Sequence, residues 1–228
     1  MQLSLRNEVK SHFEQIANRY DYWKEKNSFY YQEIKKLLRS KIPVETHVLD
    51  VGCGTGSLLA SVEPRKGIGV DLSERMVQIA TRKHPQYTYL VCDCERLSFR
   101  ETFDYVIMVD LLDHLPDPWA TFSGLKSVLS DQSRVVLLTA NPIWDPVLKW
   151  AERRGMKMPE GPNRFVPIEE IVEILKSLGY GIQEKGYRLF IPKKIPLLSS
   201  FFNGWVPRVP VLRELCLIQY LIVQKAES

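Results

Sequence analysis

The sequence predicts an α/β protein built on a doubly wound, mostly parallel sheet. Three observations carry this. Residues 47–59 read as a short apolar strand, a glycine loop and a helix start in immediate succession. Short apolar segments then alternate with segments of helical periodicity along most of the chain. The second apolar segment ends in an acid, Asp71, 19 residues after Gly52. Strands alternating with helices give parallel sheets, and right-handed crossovers place the helices on both faces. The composition of the 228 residues, 45% hydrophobic and 25% charged, is that of an ordinary globular chain. A net charge of +4 without a lysine/arginine run gives no reason to expect nucleic acid. Cys53, Cys92, Cys94 and Cys216 form no C-x-x-C pair and are expected to be reduced, with no metal site. The N-terminus has no apolar signal core and no run approaches a membrane span, so the expected location is cytoplasmic.

Residues 1–45 are expected to form a helical appendage and residues 46–228 the main domain. Leu5, Val9, Phe13, Ile16 and Tyr20 mark one helix, and Tyr30, Ile34, Leu37 and Leu38 a second. Tyr20-Asp21-Tyr22-Trp23 lies between them, with Asn27 and Ser28 as the second cap. His47–Val51 is the first strand, and Thr55 or Ser57 is expected to cap the helix Leu58–Val62. Gly67–Asp71 is the second strand, and Ser73 caps a helix carrying Met76, Ile79 and Ala80. Tyr87–Cys92 and Phe103–Val109 follow as strands. Asp117 and Pro118 suit the cap and first position of a helix that buries Phe122, Leu125 and Leu129. Arg134–Thr139 is the fifth strand. One insertion, about 143–165, holds a helix begun by Asp145-Pro146 and stopped at Gly155. A further helix runs from Pro167 to Gly179, and Gly181–Ile191 and Leu215–Gln224 are the last strands. A second insertion, about 192–212, separates them.

The glycine loop at the carboxyl end of a strand marks a ligand site. The dinucleotide fingerprint G-x-G-x-x-G would need its third glycine at 57, which is serine. The observed order is Asp50-x-Gly52-x-Gly54-x-Gly56. Asp71 is placed to accept ribose hydroxyls, which indicates an adenosine ligand without identifying it.

This run resembles the first motif of class I S-adenosylmethionine-dependent methyltransferases, D-x-G-x-G-x-G, at every fixed position. Phe13-x-x-Ile16-x-x-x-Tyr20-Asp21 resembles the segment that lies over the cofactor in small-molecule members. The resemblance implies a Rossmann-like seven-stranded sheet of order 3-2-1-4-5-7-6, closed by an antiparallel pair. It implies S-adenosylmethionine as cofactor, held by Asp50, Gly52, Gly54, Gly56, Asp71, Leu72, Met76, Asp93, Cys94, Val109 and Tyr20. Asp93 is the position that meets the adenine amine, and Leu72 flanks the ring. The implied reaction is in-line displacement onto a small-molecule acceptor, glycosyl or lipid-linked, of the kind methylated beside glycosyltransferases. His114, after the fourth strand, is the candidate base or acceptor contact; a structural turn or cofactor-pocket histidine is the other reading. Trp144 and Trp150 are pocket or packing residues. The chain lacks the Asn/Asp-Pro-Pro-Tyr/Phe motif of nucleic-acid base methylation. An NAD-dependent enzyme and a cofactor-binding but silent fold are the alternatives. Residues 182–228 hold seven Lys/Arg against three Asp/Glu. The apolar, basic stretch 193–210 therefore suits a peripheral membrane contact, or packing over the active-site mouth or a partner subunit.

Overall fold

The computed structural model describes residues 2–226. Its seven strands lie in the order β3-β2-β1-β4-β5-β7-β6. Helices α1 (Gln2–Lys26) and α2 (Ser28–Lys41) precede strand β1 (His47–Val51). Then come α3 (Ser57–Ser61), β2 (Lys66–Asp71), α4 (Glu74–Lys83), β3 (Thr88–Val91) and β4 (Phe103–Val109). Helix α5 (Pro118–Leu125) leads to β5 (Leu129–Ala140), α6 (Asp145–Arg153) and α7 (Ile168–Ser177). The chain closes with β6 (Tyr180–Arg188), α8 (Leu198–Trp205) and β7 (Ile218–Lys225). β1 pairs parallel with β2 and with β4, so it stands at the point where the winding direction reverses. β7 runs antiparallel to both β5 and β6.

The period-2 alternation of the central strands divides the core into two layers. Leu49, Val51, Val106, Met108, Val135 and Leu137 join one buried cluster with Phe122 and Leu125 of α5 and Ile171 and Leu175 of α7. Their neighbours Val48, Ile107, Val109, Val136 and Leu138 join the other with Ile34, Leu37 and Leu38 of α2, Leu59 of α3 and Ala80 of α4. The central strands are apolar on both faces because both faces are covered.

Several local expectations are corrected. Tyr20–Trp23 does not separate two helices; α1 continues through it to Lys26. Asn27 sits at the cap of α2 but makes no side-chain cap bond. Neither Thr55 nor Ser57 caps α3: Gly56 does so with left-handed backbone, because both hydroxyls are engaged by α1. Leu129 begins β5 rather than ending a helix, and β7 begins at Ile218 rather than Leu215. The proline-rich second insertion contains α8. It leaves and re-enters the sheet between directly paired residues, Arg188 and Ile218, and the Leu217 N–H closes its neck on the Leu189 carbonyl at 2.9 Å. Ser73 and Asp117 cap α4 and α5 as their sequence positions require.

Candidate functional site

The loop after β1 is held by its neighbours' backbone. The Gly52 and Cys53 N–H groups donate to the Val70 carbonyl at 2.8 and 3.0 Å. Gly54 and Gly56 have φ of +53° and +79°, where a side chain is strained. A Cβ on Gly56 would also lie 2.5 Å from the Tyr89 hydroxyl oxygen. Asp71 Oδ2 accepts the Gly54 N–H at 2.8 Å and Oδ1 the Ser73 N–H at 2.9 Å. One carboxylate thus ties the tip of β2 to the glycine loop and to the start of α4. Burial pushes its pKa up against these two donors.

Helix α1 lies across this loop. The Tyr20 ring covers Gly54, where an added Cβ would come within 3.1 Å of it. The Thr55 hydroxyl donates to Asp21 at 2.7 Å, and Lys83 of α4 pairs with the same carboxylate at 2.8 Å. Lys24 Nζ stands 4.5 Å from the Tyr20 ring centre and 3.4 Å from Ser57 Oγ, and burial lowers its pKa to about 8. Nearer its start, α1 places Arg6 3.2 Å from Asp93 and in contact with Glu95. It also holds the loop after α6: Lys26 at its far end donates to the Gly155 carbonyl at 2.6 Å, and His12, near its middle, bonds the Pro159 carbonyl at 3.0 Å.

Two cavities open under α1. The smaller, of about 90 Å³, collects most of the residues expected from the sequence: Gly52, Gly54, Asp71, Leu72, Met76, Asp93, Cys94 and Val109, with Tyr20 and His114. Asp50 and Gly56 do not line it. Asp50 is 2% exposed beneath the loop, and Gly56 is buried against Tyr89. Burial raises the Asp50 pKa to about 7, and its Oδ2 has no hydrogen-bond partner. The larger cavity, of about 290 Å³, is walled by Trp23, Tyr30, Tyr31, Trp144, Leu148 and Trp150 among others. Trp144 is fixed by its indole N–H, which donates to the Leu215 carbonyl at 2.9 Å.

Phe13, Tyr20, Asp110 and His114 line both cavities. His114 Nδ1 is 2.9 Å from the Pro162 carbonyl. A carbonyl only accepts, so Nδ1 carries the proton and Nε2 is the basic nitrogen of the neutral ring. Burial lowers the His114 pKa, which keeps that ring neutral at ordinary pH. Phe13 packs edge-on against it at 5.2 Å. Asp110 follows β4 with φ +51° and accepts the Tyr30 hydroxyl at 3.0 Å. Asp113 accepts the Val166 N–H and the Thr139 hydroxyl at 3.2 and 3.3 Å, tying the 160s loop to β5. Sequence reasoning missed Arg6, Lys24 and Tyr30. Each acts across many residues of chain, and no local pattern announces it.

Burial lifts Asp50 and Asp113 to about 7 and Asp110 to about 6. Unfolded, these carboxyls titrate near ~3.9. The folded chain therefore holds more protons between about pH 4 and 7, and stability falls as pH rises through that window. Without ligand, the melting temperature is expected to drop across it. Asp113→Asn flattens the drop; an unchanged slope in differential scanning calorimetry counts against this assignment.

The cavity chemistry defines a class first: an α/β protein with a nucleoside-type pocket at the winding switch of its sheet and a separate aromatic pocket beside it. Its lining fits an adenosyl group, with the acceptor carboxylates of Asp71 and Asp93 and apolar Leu72, Met76 and Val109 in one cavity. The signature of a family described as a methyltransferase domain matches residues 22–185. The chain belongs to this family, that of the class I S-adenosylmethionine-dependent methyltransferases, and S-adenosylmethionine is its cofactor. A ubiquinone biosynthesis O-methyltransferase of Xanthomonas axonopodis pv. citri is 29% identical over 66% of this chain and 69% of its own length. A Pasteurella multocida enzyme of the same name is 28% identical over 56% of this chain and 61% of its own. The chain thus spans about two thirds of the length of such relatives. A demethylmenaquinone methyltransferase of Staphylococcus saprophyticus is 29% identical over 81% of this chain and 86% of that protein. Among solved structures, a Thermotoga maritima methyltransferase, described as a possible histamine N-methyltransferase, superposes with TM-score 0.74 at 20% identity, covering 95% of this chain and 99% of that one. This superposition supports the Rossmann-like fold, in which β7 runs antiparallel.

Proposed function

We propose that the protein methylates an oxygen of a small, largely apolar aromatic acceptor. The carrying observation is that Phe13, Tyr20, Asp110 and His114 line both cavities. A group held in the smaller cavity and one held in the larger meet only there. The bound cofactor supplies a methyl already activated on a sulfonium. What the chain must then add is alignment of the two reactants and exclusion of water.

In this reading Asp71 accepts the ribose hydroxyls, Asp93 the adenine amine, and Leu72 and Met76 flank the ring. Cys94, Val109 and the glycines Gly52 and Gly54 complete the walls. Gly56 and Asp50 act from beneath, Gly56 by turning the loop into α3 and Asp50 by its charge. Residues 1–45 cover the cofactor and residues 46–228 carry it, with 143–165 and 192–212 on the acceptor side. His114 Nε2 takes the hydroxyl proton of the acceptor. The aromatic walls favour a lipid-linked over a glycosyl acceptor, with the stretch 193–210 working at a membrane surface. The names of the Xanthomonas and Staphylococcus relatives support an acceptor of quinone type.

The test is transfer from methyl-labelled cofactor to hydroquinones with short isoprenoid tails, with hydroxylated sugars and amines in parallel. Label on a hydroquinone oxygen supports the reading. Label on an amine or sugar overturns the acceptor class. No transfer, with S-adenosylhomocysteine still bound, identifies a silent fold.

A further inference from the structure

The second insertion lies outside the part of the chain that the family signature covers, and it is built unlike a surface that faces water. α8 is fixed to the molecule by its inner face. Asn203 accepts the Ile191 N–H at 2.7 Å and donates to the Ile191 carbonyl at 3.0 Å, and Ser199 and Val206 are buried. The opposite face carries Leu198, Phe201 and Trp205, at positions i, i+3 and i+7, and Phe201 is 65% exposed. A helix anchored by one face and apolar on the other leaves the apolar face without a partner. Leu197 is 86% exposed and holds a φ of +65°, a conformation leucine rarely adopts, while Val211 is 81% exposed. Phe201 meets the Phe202 ring edge-on at 5.3 Å, yet most of its surface stays open to solvent.

Charge identifies the partner. From 190 to 213 there are four cations, Lys193, Lys194, Arg208 and Arg213, and no acid. All four are exposed. Exposed aromatic and aliphatic side chains in a segment whose cations form no ion pair among the described residues match the interface of an anionic bilayer, where apolar groups enter the acyl boundary and cations meet the headgroups. The placement is also specific. Pro192 and Lys193 of this segment line the larger cavity, as do the half-exposed Val147 and Trp150 of α6.

We propose that this insertion docks on an anionic membrane and turns the mouth of the acceptor cavity toward the bilayer, so that an amphiphilic acceptor enters laterally with its chain still in lipid. The inference rests on the proposed function for the acceptor, but the docking itself does not.

The experiment is co-sedimentation of the whole protein with phosphatidylglycerol/phosphatidylcholine vesicles and with pure phosphatidylcholine vesicles at low salt. Binding is expected to the anionic vesicles and to fall with added salt. Lys193→Glu with Lys194→Glu, and separately Phe201→Ser with Trp205→Ser, should each reduce the bound fraction at least about tenfold. Both variants should bind S-adenosylhomocysteine as the parent does, which shows that they fold. Absence of binding, or equal binding to neutral vesicles, overturns the proposal. So does a stable dimer in sedimentation velocity that Phe201→Ser with Trp205→Ser dissociates, since the face would then belong to a second copy. Methyl transfer to a water-soluble acceptor separates the two readings. Transfer without vesicle binding defeats docking alone, and vesicle binding without transfer to any acceptor defeats the proposed function alone.

Discussion

Asp71→Ala should abolish measurable binding of S-adenosylhomocysteine, with a loss of at least about a hundredfold in affinity. Two ribose hydroxyls donating to one carboxylate form charge-assisted bonds worth about 1.5–3 kcal/mol each, and alanine offers neither acceptor. The substitution also acts on the apoprotein. The Gly54 and Ser73 N–H groups lose their acceptor, so the loop and the start of α4 are no longer joined. Removing a partner from buried donors costs about 1–3 kcal/mol each, so an overall loss of about 2–6 kcal/mol is expected. Asp71→Asn separates the effects. Its carbonyl oxygen can still accept one of the two N–H groups, so part of the stability should return while affinity stays low. Isothermal titration calorimetry with a parallel urea melt reads both. A dissociation constant within about threefold of the parent's would remove Asp71 from the cofactor site.

His114→Ala should lower kcat by about 10² to 10⁴, the range expected of a positioned general base, and leave S-adenosylhomocysteine affinity nearly unchanged. The geometry gives the pH profile its sign. A general base at this position works as the neutral ring with Nε2 free, and burial places the His114 pKa below the ordinary histidine value. Activity is therefore flat near neutrality and lost as pH falls through that depressed pKa, with Glu160, His12 and Lys157 as the charged neighbours that tune it. His114→Asn controls for structure. Its amide can still donate to the Pro162 carbonyl but cannot act as a base at neutral pH. If the asparagine variant recovers most of the turnover, His114 holds the 160s loop and takes no proton.

What could be read in the sequence was what short stretches of chain determine by themselves. The strand, glycine loop and terminal acid of 47–71 each obey local rules, as do the caps Ser73 and Asp117. The extension of α1 through Tyr20–Trp23 was not legible. Three aromatics and an aspartate look like a link until Asp21 and Lys24 are seen to engage Thr55 and Ser57. The same contacts take both hydroxyls away from capping α3. Arg6 beside Asp93 and Tyr30 on Asp110 join residues 80 or more positions apart, so only the closed sheet brings them together. α8 was hidden by prolines that prove to flank it, at 196 and 207, and not to interrupt it.

The paired neck of the second insertion has an evolutionary consequence. Because Arg188 and Ile218 are direct partners, everything between them is topologically a hairpin connection, however long it has grown. Lengthening such a connection costs little entropy, about 0.6 kcal/mol per doubling. Relatives can therefore exchange this segment wholesale, for a two-residue turn or for a surface suited to another compartment, without moving a single strand beneath the methyl donor. If the insertion docks on a membrane as proposed, the address of the enzyme and its chemistry are free to evolve separately.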